Sequence, residues 1–401
     1  MNICMLTERT SVHRGWGGKA QHGEHLCLEL ARRGHRVTVI APAHPTGIDS
    51  EERDGVQVYY LRNVPAGYFT EKWWRESVRM FEALNRRSHF DLVWGQGFAG
   101  NGLLGGALKP PPTVVFLHGT FRLDLKTKIT SLRTSLYLPK SLALLPYLLY
   151  HHLSTGPRTR YADAIIAVSK ELAKEAIREG IAPRERIYVI PNGVDLQVFR
   201  PSIREGMSIR ARYDIRPGDK VALLAGRVEP QKGFHLAVEA FVTLRKRFKA
   251  KLMIVGEGRY LGYLKKMARR LGLIEDVIFC GSVPRDEMPA YYNACDVFVM
   301  PALGFESFPL AVVEAMACGK PVIASRIGGI PTAIDHGRNG ILVRAGDVGA
   351  LAEALSALLK DTERLRELGN NARRKAEERF GHEQMVESVI QVFQTVTAGA
   401  R

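Results

Sequence analysis

The chain has 401 residues, 46% of them apolar and 24% charged, which is too long for one ordinary core and suits two globular domains of about 200 residues each. A net charge of +16 asks for an anionic partner: phosphate, nucleic acid or an acidic membrane surface. Five scattered cysteines without C-x-x-C spacing exclude a disulfide framework and a zinc-ribbon site, and with the leaderless start MNICMLTERT they fit a reduced, cytoplasmic protein.

The first half alternates strand and helix. NICMLT (2–7) is a strand, GWGG (15–18) a glycine-rich loop, and a helix runs from about Lys19 to Arg33 with Gly34 as its stop. HRVTVIAP (35–42), DLVWG (91–95), TVVFLH (113–118), ADAIIAVS (162–169) and RIYVIPNG (186–193) are further strands. PNGVDLQVFRPS (191–202) breaks the rhythm as a hinge. The pattern then restarts with KVALLAG (220–226), KLMIVGEG (251–258), DVIFCGS (276–282), DVFVMPA (296–302), PVIAS (321–325) and GILV (340–343), and residues 351–397 read as helix. Strands separated by helices mean βαβ units and a mostly parallel sheet. The expectation is an α/β chain of two doubly wound, Rossmann-like domains facing a central cleft, since ligands of such sheets bind outside the strands' carboxyl ends.

One region concentrates the charge. Between Asp124 and Asp163 there is no acidic residue, while Lys126, Lys128, Arg133, Lys140, Arg158 and Arg160 are basic, and the leucine-rich run 135–153 lies among them. Prolines 139 and 146 make that run too broken to span a bilayer. It reads equally as a surface dipping into an anionic leaflet and as a helical pair folded onto its own domain.

The chemistry-bearing residues gather at strand ends. Arg227 and Lys232 share the loop after KVALLAG; two cations there suit a diphosphate, although as isolated loop residues they also read as solvated charge. GFESFPLAVVEAMACG (304–319) carries Glu306 and Glu314 and little else that is polar. Residues 309–318 form an apolar helix, so Glu314 within it needs a partner, either a side chain or a ligand. The start of that helix favours an anion, with Leu310 and Ala311 offering the first N–H groups. His118 ends a strand, where it either meets a ligand or caps its own strand. The loop at Gly17 and Gly18 can approach phosphate but is not G-x-G-x-x-G, and no acidic residue follows HRVTVIAP, so an NAD site is not supported. GEG (256–258) reads as a tight strand-to-helix turn. There is no P-loop and no D-x-D metal motif.

In order and spacing, GG-x-x-x-H at 17–22, the strand-ending His118, PNGVD at 191–195, GR-x(4)-KG at 226–233 and E-S-F-P-L-x(3)-E-A-M-A-C-G-x-P-V at 306–322 resemble the retaining glycosyltransferase family 4, which has the GT-B fold. The resemblance implies an acceptor-binding domain over 1–197, a nucleotide-sugar domain over 198–380, and a final helix, 381–401, crossing back to the first. It implies a nucleoside-diphosphate sugar donor (UDP- or GDP-linked) as substrate, no cofactor and no metal, and a glycan, lipid or lipid-linked acceptor. Arg227 and Lys232 would bind the diphosphate, Glu306 the donor sugar hydroxyls, and Glu314 the ribose. Backbone groups around Ser307, Phe308 and Leu310 would meet sugar and phosphate, His118 the donor sugar, and the Gly17–Gly18 loop the phosphates. An acceptor bound in the first domain makes the basic segment 126–160 a candidate membrane-facing surface, so the enzyme would be cytoplasmic or peripheral on the inner membrane face. An epimerase or phosphorylase on the same fold, or a non-catalytic nucleotide-sugar-binding protein, are the alternatives. A nucleic-acid binder ranks last, for no RNA-binding aromatic motif or helix-turn-helix pattern accompanies the charge.

Overall fold

The computed structural model describes residues 1–13, 18–67, 69–106, 108–120, 122–127 and 156–399. The chain divides into two compact units. The first takes the described residues of Met1–Arg122, Ala143–Asn192 and Glu383–Arg401; the second takes those of Leu123–Leu142 and Gly193–His382.

The first unit is built on strands β1 (Asn2–Leu6), β2 (Arg36–Ala41), β3 (Ser50–Arg53), β4 (Val56–Tyr60), β5 (Leu92–Gln96), β6 (Thr113–Leu117), β7 (Ala164–Ala167) and β8 (Ile187–Val189). They form one sheet in the order β3-β4-β2-β1-β5-β6-β7-β8. Every neighbour is parallel except β3 and β4. That hairpin is absent from the sequence reading. Its outer strand is SEER, a polar and mostly exposed edge with no apolar signal. Its turn, Asp54-Gly55, has positive φ at both residues and closes the two-residue loop between paired Arg53 and Val56, the primed geometry that matches strand twist.

One face of this sheet is covered by the helix Gly18–Arg32 and by the chain's last helix, His382–Gly399. The last helix buries Met385, Val386, Val389, Ile390, Val392 and Phe393 in one cluster with Ile3, Leu26, Trp94, Phe116 and Ile166. Phe393 is fully buried, its ring 6.2 Å from that of Trp94. The opposite face packs Cys4, Leu6, Ile40 and Val93 against Trp73 and Phe81 of the helix Glu71–Arg87. Strands buried on both faces carry continuous apolar runs, which is why most of them are legible in the sequence.

The second unit holds β9 (Lys220–Ala225), β10 (Ala250–Val255), β11 (Val277–Gly281), β12 (Val297–Met300), β13 (Val322–Ser325) and β14 (Gly340–Val343). They make a parallel sheet in the order β11-β10-β9-β12-β13-β14. The order runs outward in both directions from β9 and β12, so the crevice outside their carboxyl ends is the switch point of a doubly wound sheet. The loops that carry the candidate residues leave the sheet there.

Candidate active site

Arg227 and Lys232 follow β9, in the loop the sequence singled out. Arg227 is exposed and makes no ion pair among the described residues. Lys232 ends a short helical turn, Pro230–Lys232, that closes at Gly233. Gly233 has φ of 70°, and a Cβ there would lie 1.8 Å from the Pro301 carbonyl oxygen, so only glycine lets the loop turn against the end of β12. The turn delivers Lys232 Nζ to Glu306 Oε1 at 2.7 Å, with both side chains mostly covered. Two residues 74 apart, each selected for its type and strand-end position, therefore meet.

The GEG turn after β10 has a further reason for its glycines. Val228 N–H donates to Glu257 O and Tyr260 N–H to Val228 O, so the two loops touch backbone to backbone. A Cβ on Gly256 would lie 1.9 Å from Gly226 O. The GEG turn thus buttresses the loop that carries Arg227.

Glu306 is fixed by its own backbone, whose carbonyl accepts from Gly329 N–H at 2.6 Å beyond β13. The neighbouring Phe305 N–H donates to Thr127 Oγ1 at 3.3 Å. Ser307 is partly exposed, whereas Phe308 is buried with its ring 5.6 Å from Phe380, so any part Phe308 plays toward a ligand falls to its backbone. One expectation needs correction. The Leu310 N–H is not a free donor here, because it bonds the Phe308 carbonyl at 3.1 Å while Pro309 serves as the cap of the helix Leu310–Ala317.

Glu314, 5% exposed in that helix, has protein partners on both oxygens. Oε1 accepts from an Arg285 guanidinium nitrogen at 2.9 Å, and Oε2 from the Tyr292 hydroxyl at 2.7 Å. Arg285 stands in the turn after β11, its guanidinium 5.2 Å from the centre of the Phe199 ring. Tyr292, on the helix Met288–Ala294, packs edge-on against Phe199 and Phe298. Burial, and then the adjacent Glu314 carboxylate, push the Tyr292 phenol well above its ordinary value, so it stays a proton donor. The hinge stretch 191–202 thus contributes, through Phe199, an aromatic floor beneath the glutamate's partners. A carboxylate has about four acceptor positions, so two donors leave Glu314 able to accept from a ligand as well.

In the first unit, His118 follows β6 and lies against Gln96 at the end of β5 and His22 of the helix Gly18–Arg32. Its Nε2 is 2.9 Å from Gln96 Nε2, and its ring is 5.4 Å from that of His22. Burial first, then the neighbouring His22 and Lys19, hold the His118 imidazole well below its ordinary pKa, so it is neutral at pH 7. Gly18 opens its helix and is exposed; Gly17 lies outside the described residues. Of the basic segment 126–160, residues 128–155 also lie outside them, while Lys126, Arg158 and Arg160 are exposed. Among the described residues no helix is long and apolar enough to cross a membrane, and no His, Cys, Asp or Glu cluster of metal-site size occurs.

Two family models match this chain: Glycosyltransferase Family 4 over residues 16–198, and Glycosyl transferases group 1 over residues 207–375. The chain belongs to this glycosyltransferase family. Over 98% of its length the glycosyltransferase is 27% identical to an uncharacterised glycosyltransferase of Methanocaldococcus jannaschii, of which 98% is covered. Over 99% of its length it is 28% identical to an MMP alpha-(1→4)-mannosyltransferase of Mycolicibacterium hassiacum, again with 99% covered. Its fold is GT-B, similar to that of sucrose-phosphate synthase from Thermosynechococcus elongatus, with a TM-score of 0.80, 23% identity and 99% of each chain covered.

Proposed function

We propose that this glycosyltransferase moves a hexose, with retention of anomeric configuration, from a UDP- or GDP-linked donor to a glycan, lipid or lipid-linked acceptor. The observation that carries the reading is the Lys232–Glu306 pair at the carboxyl end of β9. A leaving nucleoside diphosphate develops negative charge, and a lysine held in place by a carboxylate supplies the compensating charge without reorganising. Arg227, exposed on the same loop, adds a guanidinium able to grip phosphate in bidentate fashion. With two side-chain cations for the diphosphate, the proposed chemistry requires no metal. Glu306 takes the sugar hydroxyls, Glu314 the ribose, and His118 the donor sugar. The mannosyltransferase among its relatives favours a hexose donor.

Thermal unfolding with UDP, GDP and ADP, each with and without a chelator, tests the donor class. The matching nucleotide at about a hundred times its dissociation constant stabilises by roughly 2.7 kcal/mol, with chelator making no difference. Stabilisation only when a divalent cation is present would rule out the metal-free form of the proposal. Once the donor is known, NMR of the first-formed product reads its anomeric configuration, and conversion of donor with no acceptor present would replace the reading by an epimerase.

The acceptor side of the proposal is a lipid-linked substrate reached at an anionic membrane surface through the basic segment 126–160. Sedimentation with vesicles containing anionic lipid is expected to capture the protein at low salt and release it as salt rises past about 0.15 M, where the Debye length falls to about 8 Å. No capture at low salt would remove the membrane from the proposal.

A further inference from the structure

Gln96 is fully buried at the end of β5, and its carboxamide is the centre of a small network. Gln96 Nε2 lies 2.7 Å from the Lys19 backbone carbonyl, 2.9 Å from His118 Nε2 and 3.3 Å from His22 Nδ1. A carbonyl can only accept, so the Lys19 oxygen fixes which end of the amide is the NH2. That group has two hydrogens. One goes to Lys19 O, and the other goes to the nearer imidazole nitrogen, His118 Nε2. An imidazole nitrogen that accepts must carry a lone pair, so in a neutral ring the proton resides on the other nitrogen.

The other end of the amide adds a second observation. Gln96 Oε1 is buried and has no hydrogen-bond partner among the described residues. Leaving such an acceptor dry is destabilising, a cost that an apolar side chain of the same length would avoid. Set against the two bonds that its NH2 donates, this cost leaves glutamine no net advantage in stability, while the orientation of His118 argues for it.

We infer that Gln96 is a positioning residue for His118: its amide accounts for the proton on Nδ1 and makes the imidazole a hydrogen-bond donor through that atom, unable to take a proton at Nε2. This rests on the reading that His118 meets the donor sugar, where a donating Nδ1–H suits a hydroxyl oxygen.

Two variants separate positioning from packing. In Gln96→Met the two donated hydrogen bonds and the dry oxygen are lost together, so thermal stability changes little. In Gln96→Glu the carboxylate can only accept, which draws the proton to Nε2. Long-range proton–nitrogen NMR of the full chain labelled at histidine, with the His118 signals assigned by their loss in His118→Asn, reads the tautomer directly. The wild type is expected to show a lone-pair nitrogen at Nε2 and a protonated Nδ1, and Gln96→Glu the reverse. Turnover falls in both variants by about 10–100-fold, the range found when partners that orient metal-bound imidazoles are removed. A wild-type ring protonated at Nε2 would overturn the tautomer, and unchanged turnover in both variants would overturn the role. The NMR result stands whether or not any nucleotide sugar proves to be a substrate, so a failure of the donor assignment and a failure of this inference are told apart.

Discussion

Lys232→Ala is expected to lower kcat by about 10²–10³-fold, the loss that follows removal of one preorganised group from a developing negative charge. This corresponds to about 3–4 kcal/mol of transition-state stabilisation. The structure makes the effect specific to the transition state. Lys232 is already tied to Glu306 at 2.7 Å on a turn that Gly233 locks against Pro301, so its charge is in position before the bond breaks. Stability should also fall, because the pair is mostly covered and the Glu306 carboxylate is left without its partner, so turnover is read on protein that the melt shows to be folded. The measurement is steady-state kinetics at saturating donor beside a thermal melt. Near-normal turnover in a folded variant would remove Lys232 from the chemistry and leave it as a support for Glu306.

Phe393→Ala is expected to destabilise the first unit strongly. Its ring is fully buried beside Trp94, in the cluster that joins the last helix to Ile3 and Phe116, and emptying such a site costs about 3–5 kcal/mol. Amide hydrogen exchange should speed up across β1 and β5, which form the floor of that cluster, and be unaltered across β9 and β10. Wild-type protection of β1 and β5 would mean that the helix packs without contributing to the unit's stability.

Most of the fold was legible because parallel strands buried on both faces are continuous apolar words, such as VALLA and LMIV, and these need no tertiary knowledge to recognise. In the β3–β4 hairpin only SEER carries no apolar signal; the Asp54-Gly55 turn and the alternating strand VQVYY were both there to be read. At the site, Lys232 and Glu306 were each selected by residue type at a strand end, and the structure pairs them. Glu314 was recognised as needing a partner, but Arg285 and Tyr292 were not nameable. They come from an earlier turn and helix, 29 and 22 residues away, and nothing in PRDEMPAYY distinguishes a buried partner from a solvated charge or a core aromatic. Gln96 had no motif at all, since its role appears only when β5 and β6 lie side by side and bring it against His118. Leu310 was misjudged for a different reason. A free N–H was inferred from helix position alone, and a local bond to Phe308 had already taken it.

The last helix belongs to the first unit, and this sets an order of assembly during synthesis. The second unit is almost one continuous stretch, 193–382, and has all its strands once that stretch has left the ribosome. The first unit has all of its strands by residue 192, yet the part of one sheet face that the helix Gly18–Arg32 does not cover stays open until residues 383–399 arrive. At 5–20 residues per second that wait is on the order of 10–40 s, with Trp94 and Phe116 lacking their final cover throughout. The part of the protein made first is therefore the part finished last, and a nascent chain must keep that apolar face from other chains until its own C-terminus closes it.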